Sequence, residues 1–149
     1  MSEENPWKTK SVTTAYENPW IKVEHHDVLN PAGNPGIYGT VSFKNRAVGV
    51  VPIADNGDTW LVGQYRFPLQ EYHWEIPMGG APKGESAENC ALRELREESG
   101  LIAESLTPIG RVHLSNCITD EEGLLFVAKG LTEGPSDTEE TEVLTVRRL

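Results

Sequence analysis

The sequence is short of positive charge, of cysteine and of long apolar runs, and each shortage excludes something. Against 23 Asp and Glu stand 13 Lys and Arg, a formal charge of −10 at neutral pH. It therefore lacks the basic excess that a nucleic-acid polymer or an anionic membrane calls for in a partner. Small phosphate anions remain open as substrates, provided that cations brought to the site offset the repulsion. The two cysteines, Cys90 and Cys117, cannot by themselves build a disulfide framework or a four-ligand zinc site, and they read as ordinary buried thiols. No apolar run approaches the roughly 18 residues of a membrane span. The opening MSEENPWKTK has no apolar core of a secretory signal, so the expected address is the cytoplasm. No repeat or low-complexity tract interrupts the 149 residues, a length that suits one domain.

What is present in quantity is glycine and proline, 14 and 10, and these predict many turns between short elements. Residues 20–28 and 37–43, separated by Pro31, Gly33, Pro35 and Gly36, predict a two-strand N-terminal unit. The run AVGVVPIA over 47–54, the turn Asp55-Asn56-Gly57-Asp58 and the run 59–65 predict a hairpin. A short extended piece over 73–76 then leads into a loop stiffened by Gly79, Gly80, Pro82 and Gly84. Residues 86–99, dense in Ala, Leu, Glu and Arg and stopped by Gly100, predict a helix with Ala91, Leu92 and Leu95 as its buried stripe. Strands are expected over 109–114, 124–128 and 143–146, with an acidic loop over 132–142 between the last two. Many strands around one strong helix make an α+β architecture. His25, His26, His73 and His113 fall into no metal-ligand spacing and read as strand or surface residues.

Within the helix, Glu94, Glu97 and Glu98 stand at i, i+3 and i+4, which places three carboxylates on one face within about a turn. Either a divalent cation turns this repelling cluster into a ligand set, or Arg93 and Arg96 bridge the acids locally. The longer frame bears on the choice. From Gly79, five residues lead to Glu85 and seven more to Arg93, followed by Glu94, Leu95, Arg96, Glu97, Glu98, Ser99, Gly100 and Leu101. This resembles the signature of the Nudix hydrolases at every fixed position, a coincidence expected by chance on the order of once in 10⁷ chains. The resemblance implies Mg²⁺, with Mn²⁺ as a substitute, bound by Glu94, Glu97, Glu98 and the backbone carbonyl of Met78. It implies that Glu97, Glu98 and Arg93 belong to the catalytic machinery, with Gly79 and Glu85 shaping and orienting the metal shell. The chemistry asks for such a set, because hard cations held by carboxylates neutralise pyrophosphate oxygens and make a water more acidic.

The segments Gln64-Tyr65-Arg66-Phe67-Pro68 and Trp74-Glu75-Ile76-Pro77 are similar to those of the ADP-ribose pyrophosphatase and nucleoside-diphosphate-sugar hydrolase branch. The similarity implies that Arg66 and Glu75 bind substrate, Arg66 as a clamp on two phosphate oxygens. The stretch from Ser115 to Glu122 corresponds to a mobile loop with a catalytic glutamate. Glu121 is the best counterpart, Asp120 or Glu122 would take the role if the assignment slips by one residue, and a plain acidic turn is the other reading. Asn18-Pro19-Trp20-Ile21 resembles the start of an N-terminal sheet through which such proteins form homodimers. Trp20 is then either a stacking platform for a nucleobase or a residue of the dimer seam.

The implied organisation is a dimerising β arm over 1–45 and a Nudix domain over 46–149, with a mixed sheet between helices (α/β/α). Relatives usually carry one or two helices after the strand matching 143–146, and this sequence stops at Leu149. The implied reaction is Mg²⁺-dependent hydrolysis of a small nucleotide sugar such as ADP-ribose, ADP-glucose or GDP-mannose to nucleoside monophosphate and sugar phosphate. The alternatives are another nucleotide substrate (a dinucleoside polyphosphate, a nucleoside triphosphate, an RNA 5′ end) or a non-catalytic nucleotide-sugar sensor.

Overall fold

The structure, a computed structural model, describes residues 4–135 and 143–149. It divides into two units, Met1–Asn45 with His113–Glu121, and Arg46–Val112 with Glu122–Leu149. The first therefore joins the N-terminal residues to a segment from far along the chain.

The first unit is an antiparallel sheet of β1 (Lys8–Glu17), β2 (Ile21–Leu29) and β3 (Pro35–Phe43), in that order. Three strands form where two were expected. The sequence of β1, KTKSVTTAYE, is exposed along its whole length and shows no alternation of apolar and polar residues. Its β-branched Thr9, Val12, Thr13 and Thr14 supply strand propensity without that pattern. Asn18 builds the β1–β2 turn, its Oδ1 accepting from Trp20 N–H at 2.9 Å and Ile21 N–H at 2.8 Å. Val28 is the one buried apolar side chain among the described residues of this unit.

The second unit contains two sheets and one helix, α1 (Ala87–Ser99). Strand β4 (Arg46–Pro52) pairs antiparallel with β7 (Met78–Ala81) and parallel with β9 (Glu122–Glu133), beside which runs β8 (Leu101–His113). This four-stranded sheet, ordered β7-β4-β9-β8, is thus mixed. The second sheet places β5 (Trp60–Arg66) between β6 (Glu71–Glu75) and β10 (Thr145–Arg148), all antiparallel. The core is built from Val48, Val50, Trp60, Leu95, Leu101 and Phe126 with small side chains from α1.

Several expectations are corrected. The runs 47–54 and 59–65 make no hairpin: they belong to different sheets and meet in the single bridge Ile53↔Thr59. An apolar run such as VGVV, buried over Val48, Gly49 and Val50, is fit for the inside of a sheet, and β4 takes neighbours on both edges. Part of the expected glycine loop is strand β7, where Gly79 and Gly80 pair with Val48 and Ala47. Leu92 leaves the buried stripe at 40 % exposure and Cys90 takes its place, whereas Cys117 is exposed. Strand β9 runs on through Thr132 and Glu133, and residues 136–142 of the expected acidic loop lie outside the described residues. The α+β class stands; of the helices expected on two faces, the described residues carry α1 alone. No helix among them is long and apolar enough to cross a membrane.

Candidate active site

Helix α1 is fixed at both ends. Ser86 caps it by accepting from Asn89 N–H at 3.1 Å, and Gly100, at φ 71°, donates its N–H to Arg96 O at 2.9 Å. The buried face between these caps is Ala87, Cys90, Ala91, Glu94, Leu95 and Glu98, a spacing of three and four. Two of the three acids therefore occupy core-facing positions, and Glu97 sits half-buried at their side. A carboxylate taken from water is strongly destabilising unless it is paired. Glu98 Oε2 accepts from Met78 N–H at 2.8 Å, and Glu94 Oε1 and Glu97 Oε2 both accept from Arg93 Nη1, at 2.7 and 3.0 Å.

Arg93 is itself anchored from the loop before the helix. Its Nε and Nη2 donate to the two oxygens of Glu85, each at 3.0 Å, and Nη2 also reaches Gly80 O at 3.3 Å. The hydrogen bond from Arg93 holds the Glu85 carboxyl below its ordinary range, and the same bond raises Arg93 further. Of the two arginines offered by the sequence, Arg93 does the bridging, while Arg96 is exposed and holds none of the three acids. Under this cluster Cys90 is pushed up to about 12, by burial first and by the Glu94 charge second.

The backbone of β7 lies close against the cluster. A Cβ on Gly79 would overlap the Glu94 carboxylate, so only a glycine leaves room for it. Carboxylate and carbonyl oxygens are the donors that a hard divalent cation prefers. No three His, Cys, Asp or Glu side chains of the described residues converge as a ready ligand set, because Arg93 Nη1 stands between Glu94 and Glu97. The residues fit a cation by donor chemistry and by the cradle at Gly79.

In the same unit, Arg66 and Glu75 are brought together by the β5–β6 pairing. Arg66 Nε donates to Oε1 at 3.2 Å and Oε2 at 3.0 Å, and Nη2 to Oε2 at 2.5 Å. The first unit carries the other two expected residues. Trp20 is 68 % exposed at the β1–β2 turn. Around Glu121, the neighbouring acids are engaged: Asp120 Oδ1 accepts from Phe43 N–H at 3.0 Å, and Glu122 pairs with Arg111 at 3.4 Å. The Glu121 carboxylate takes part in no hydrogen bond or ion pair among the described residues. Tyr38, Arg147 and Arg148 carry no local signal in the sequence, since their partners at Cys117, Trp74 and Trp60 lie dozens of residues away.

Residues 43–149 match the family model of the NUDIX domain. The chain belongs to the Nudix family. Residues 7–41 of this Nudix protein match a second model, the nucleoside diphosphate sugar hydrolase N-terminal domain. An ADP-ribose pyrophosphatase of Bacillus subtilis (strain 168) is 39% identical over 102 residues, which cover 67% of this chain and 55% of that one. The chain thus spans about half the length of that relative. A methanol dehydrogenase activator of Bacillus methanolicus is 34% identical over 133 residues, 89% of this chain and 70% of its own. The crystal structure of an ADP compounds hydrolase superposes with a TM-score of 0.87 at 25% identity, covering 99% of this chain and 80% of that one. The Nudix box of this member, Gly79 to Leu101, is thereby laid out as β7, the capped helix α1 and the first residue of β8.

Proposed function

We propose that this Nudix protein hydrolyses the pyrophosphate of nucleoside diphosphate sugars, ADP-ribose foremost, to nucleoside monophosphate and sugar phosphate. The observation that carries the reading is the placement of Glu94 and Glu98 on the buried stripe of α1, where packing alone calls for apolar side chains. The match of residues 7–41, the Bacillus subtilis relative and the ADP compounds hydrolase support the substrate class. The charge of −10 speaks against a polymeric nucleic acid.

Glu94, Glu97 and Glu98, with the carbonyl of Met78, are the residues that would hold Mg²⁺ or Mn²⁺. Such an ion supplies neutralisation of the phosphate oxygens and a more acidic water. Glu85, through its two bonds to Arg93, keeps the acids of the helix in register. Arg66, steadied by Glu75, binds the pyrophosphate, and Trp20 offers an exposed face to the base. Glu121 accepts a proton from the attacking water. The water oxygen bonds to one phosphorus, the bridging P–O bond breaks, and the bridging oxygen leaves with the other phosphate.

The working species in this reading is a homodimer. The register of the first sheet puts Tyr16, Ile21, Val23, Ile37, Val41 and Phe43 on one face. Three of these, Tyr16, Ile37 and Phe43, are exposed. A second copy covering this face would bury them.

The test is nucleoside monophosphate release from ADP-ribose, ADP-glucose, GDP-mannose, UDP-glucose, diadenosine polyphosphates and nucleoside triphosphates, with and without Mg²⁺. ADP-ribose is expected to yield AMP only with the metal, and Glu98→Gln to lower kcat by at least about 100-fold. Cleavage confined to triphosphates or dinucleotides would overturn the substrate class. No turnover by folded, metal-loaded protein would make it a sensor.

A further inference from the structure

We propose that strand β3 of the N-terminal sheet orders the segment that carries Glu121, with Asp120 as the positioning residue. This rests on the reading of Glu121 as the base. Strand β3 pairs with β2 along one edge. Its other edge is taken by residues 117–120, which meet it at the parallel bridge Val41↔Thr119. Val41 N–H donates to Ile118 O at 2.9 Å, and Asp120 N–H donates to Val41 O at 3.3 Å. One step further along β3, Phe43 N–H finds the Asp120 carboxylate at 3.0 Å, so a side chain continues the ladder where the segment's backbone departs. Tyr38 Oη secures the other end by donating to Cys117 O at 2.6 Å.

The segment is also closed on itself. Ser115, at φ 48°, receives the N–H groups of Ile118 and Thr119 on its carbonyl, and Thr119 Oγ1 donates to Leu114 O at 2.6 Å. His113 Nδ1 lies 3.2 Å from Glu121 O. The Glu121 peptide is thus held from both sides, by His113 at its own carbonyl and through Asp120 by β3. A general base acts only within about 2.6–3.2 Å of its proton, and a displacement of roughly 1 Å lowers the rate on the order of 100-fold. Nine surface residues left unanchored would spread over many conformations. Four bonds to β3 restrict that freedom; both flanking acids have partners, and the Glu121 carboxylate has none among the described residues.

The test is a double-mutant cycle on ADP-ribose hydrolysis. Asp120→Ala removes the acceptor of Phe43 N–H, and Asp120→Asn keeps an oxygen there. Tyr38→Phe removes the second anchor with little change of shape, should Asp120→Ala fold poorly. Asp120→Ala and Tyr38→Phe are each expected to lower kcat about tenfold with KM unchanged, and Asp120→Asn to restore it to within about twofold. In a Glu121→Gln background, Asp120→Ala should have no further effect. Amide exchange without substrate should show Phe43 protected in the wild type and unprotected in Asp120→Ala.

Full activity of Asp120→Ala beside an inactive Glu121→Gln would overturn the positioning role and leave the base. So would a loss that is undiminished in the Glu121→Gln background, or a Phe43 amide indifferent to Asp120. Full activity of Glu121→Gln would overturn the reading of the base and the proposal with it.

Discussion

Glu94 reaches its partners only because residue 79 has no side chain. The atoms that a Cβ would strike are the tip of the Glu94 side chain, so Gly79→Ala displaces that carboxylate rather than the fold. The expected result is a melting temperature within a few degrees of the wild type and divalent-cation affinity at least about tenfold weaker by calorimetric titration. A second prediction concerns the thiols. Cys90 is buried and pushed up to about 12, so it stays protonated and inert at pH 8, whereas Cys117 is exposed. Alkylation with iodoacetamide followed by mass spectrometry should find Cys117 modified and Cys90 untouched until denaturant is added. The box was legible in the sequence because its residues stand at fixed spacings, and its three acids keep theirs along one helix. On the helix alone the choice of Arg93 over Arg96 was not legible, since both flank the acids; the longer frame singled out Arg93, and the structure shows it anchored by Glu85.

Strand β10 shows how little an element's sequence says about what holds it. Gly63 of β5 lies under the rings of Tyr72 and Trp74, and from across the sheet the Arg147 guanidinium stacks on Trp74 at 3.8 Å from its centroid. Arg148 lies 5.0 Å from the Trp60 centroid and 2.7 Å from Asp58. Exposed cation–π contacts contribute about 0.5–1 kcal/mol, so Arg147→Ala should lower the melting temperature by about 1–4 °C in calorimetry. Hydrogen bonds from Asn56 and then Arg148 hold the Asp58 carboxyl below its usual range. A depressed carboxyl stabilises the fold above its unfolded value, and that contribution is lost as pH falls through the folded one. The destabilisation caused by Arg148→Ala should accordingly be larger at pH 7 than below the usual aspartate range. Helix α1 was readable from its composition and the glycine that stops it, and most strand positions from their apolar runs, but not the strands' partners. The expected hairpin between β4 and β5 failed because the ladders of β4 come from 29 and more residues away, at Met78–Ala81 and Gly123–Ala128, and those of β5 include β10.

At the scale of the whole molecule, the two units differ in what they bury. The second has a core of large side chains around α1, while the first buries Val28 alone among its described residues. A three-stranded sheet with so little covered is poorly stable by itself, and the homodimer proposed above would cover one face. Sedimentation equilibrium should therefore give the mass of two chains. Changing Tyr16 and Ile37 together to Lys, on that same face, should give monomers. The N-terminal unit was legible as β structure, but its claim on residues 113–121 was not, since no local pattern marks a strand edge filled from 79 residues away, the separation of Tyr38 and Cys117. That separation also sets a timetable for biosynthesis. On a ribosome adding about 5–20 residues per second, the outer edge of β3 waits roughly 4–16 s for the residues that close it. For that interval it is a bare, sticky edge, and a nascent or cleaved chain ending near Asn45 would carry the same hazard of edge-to-edge aggregation permanently.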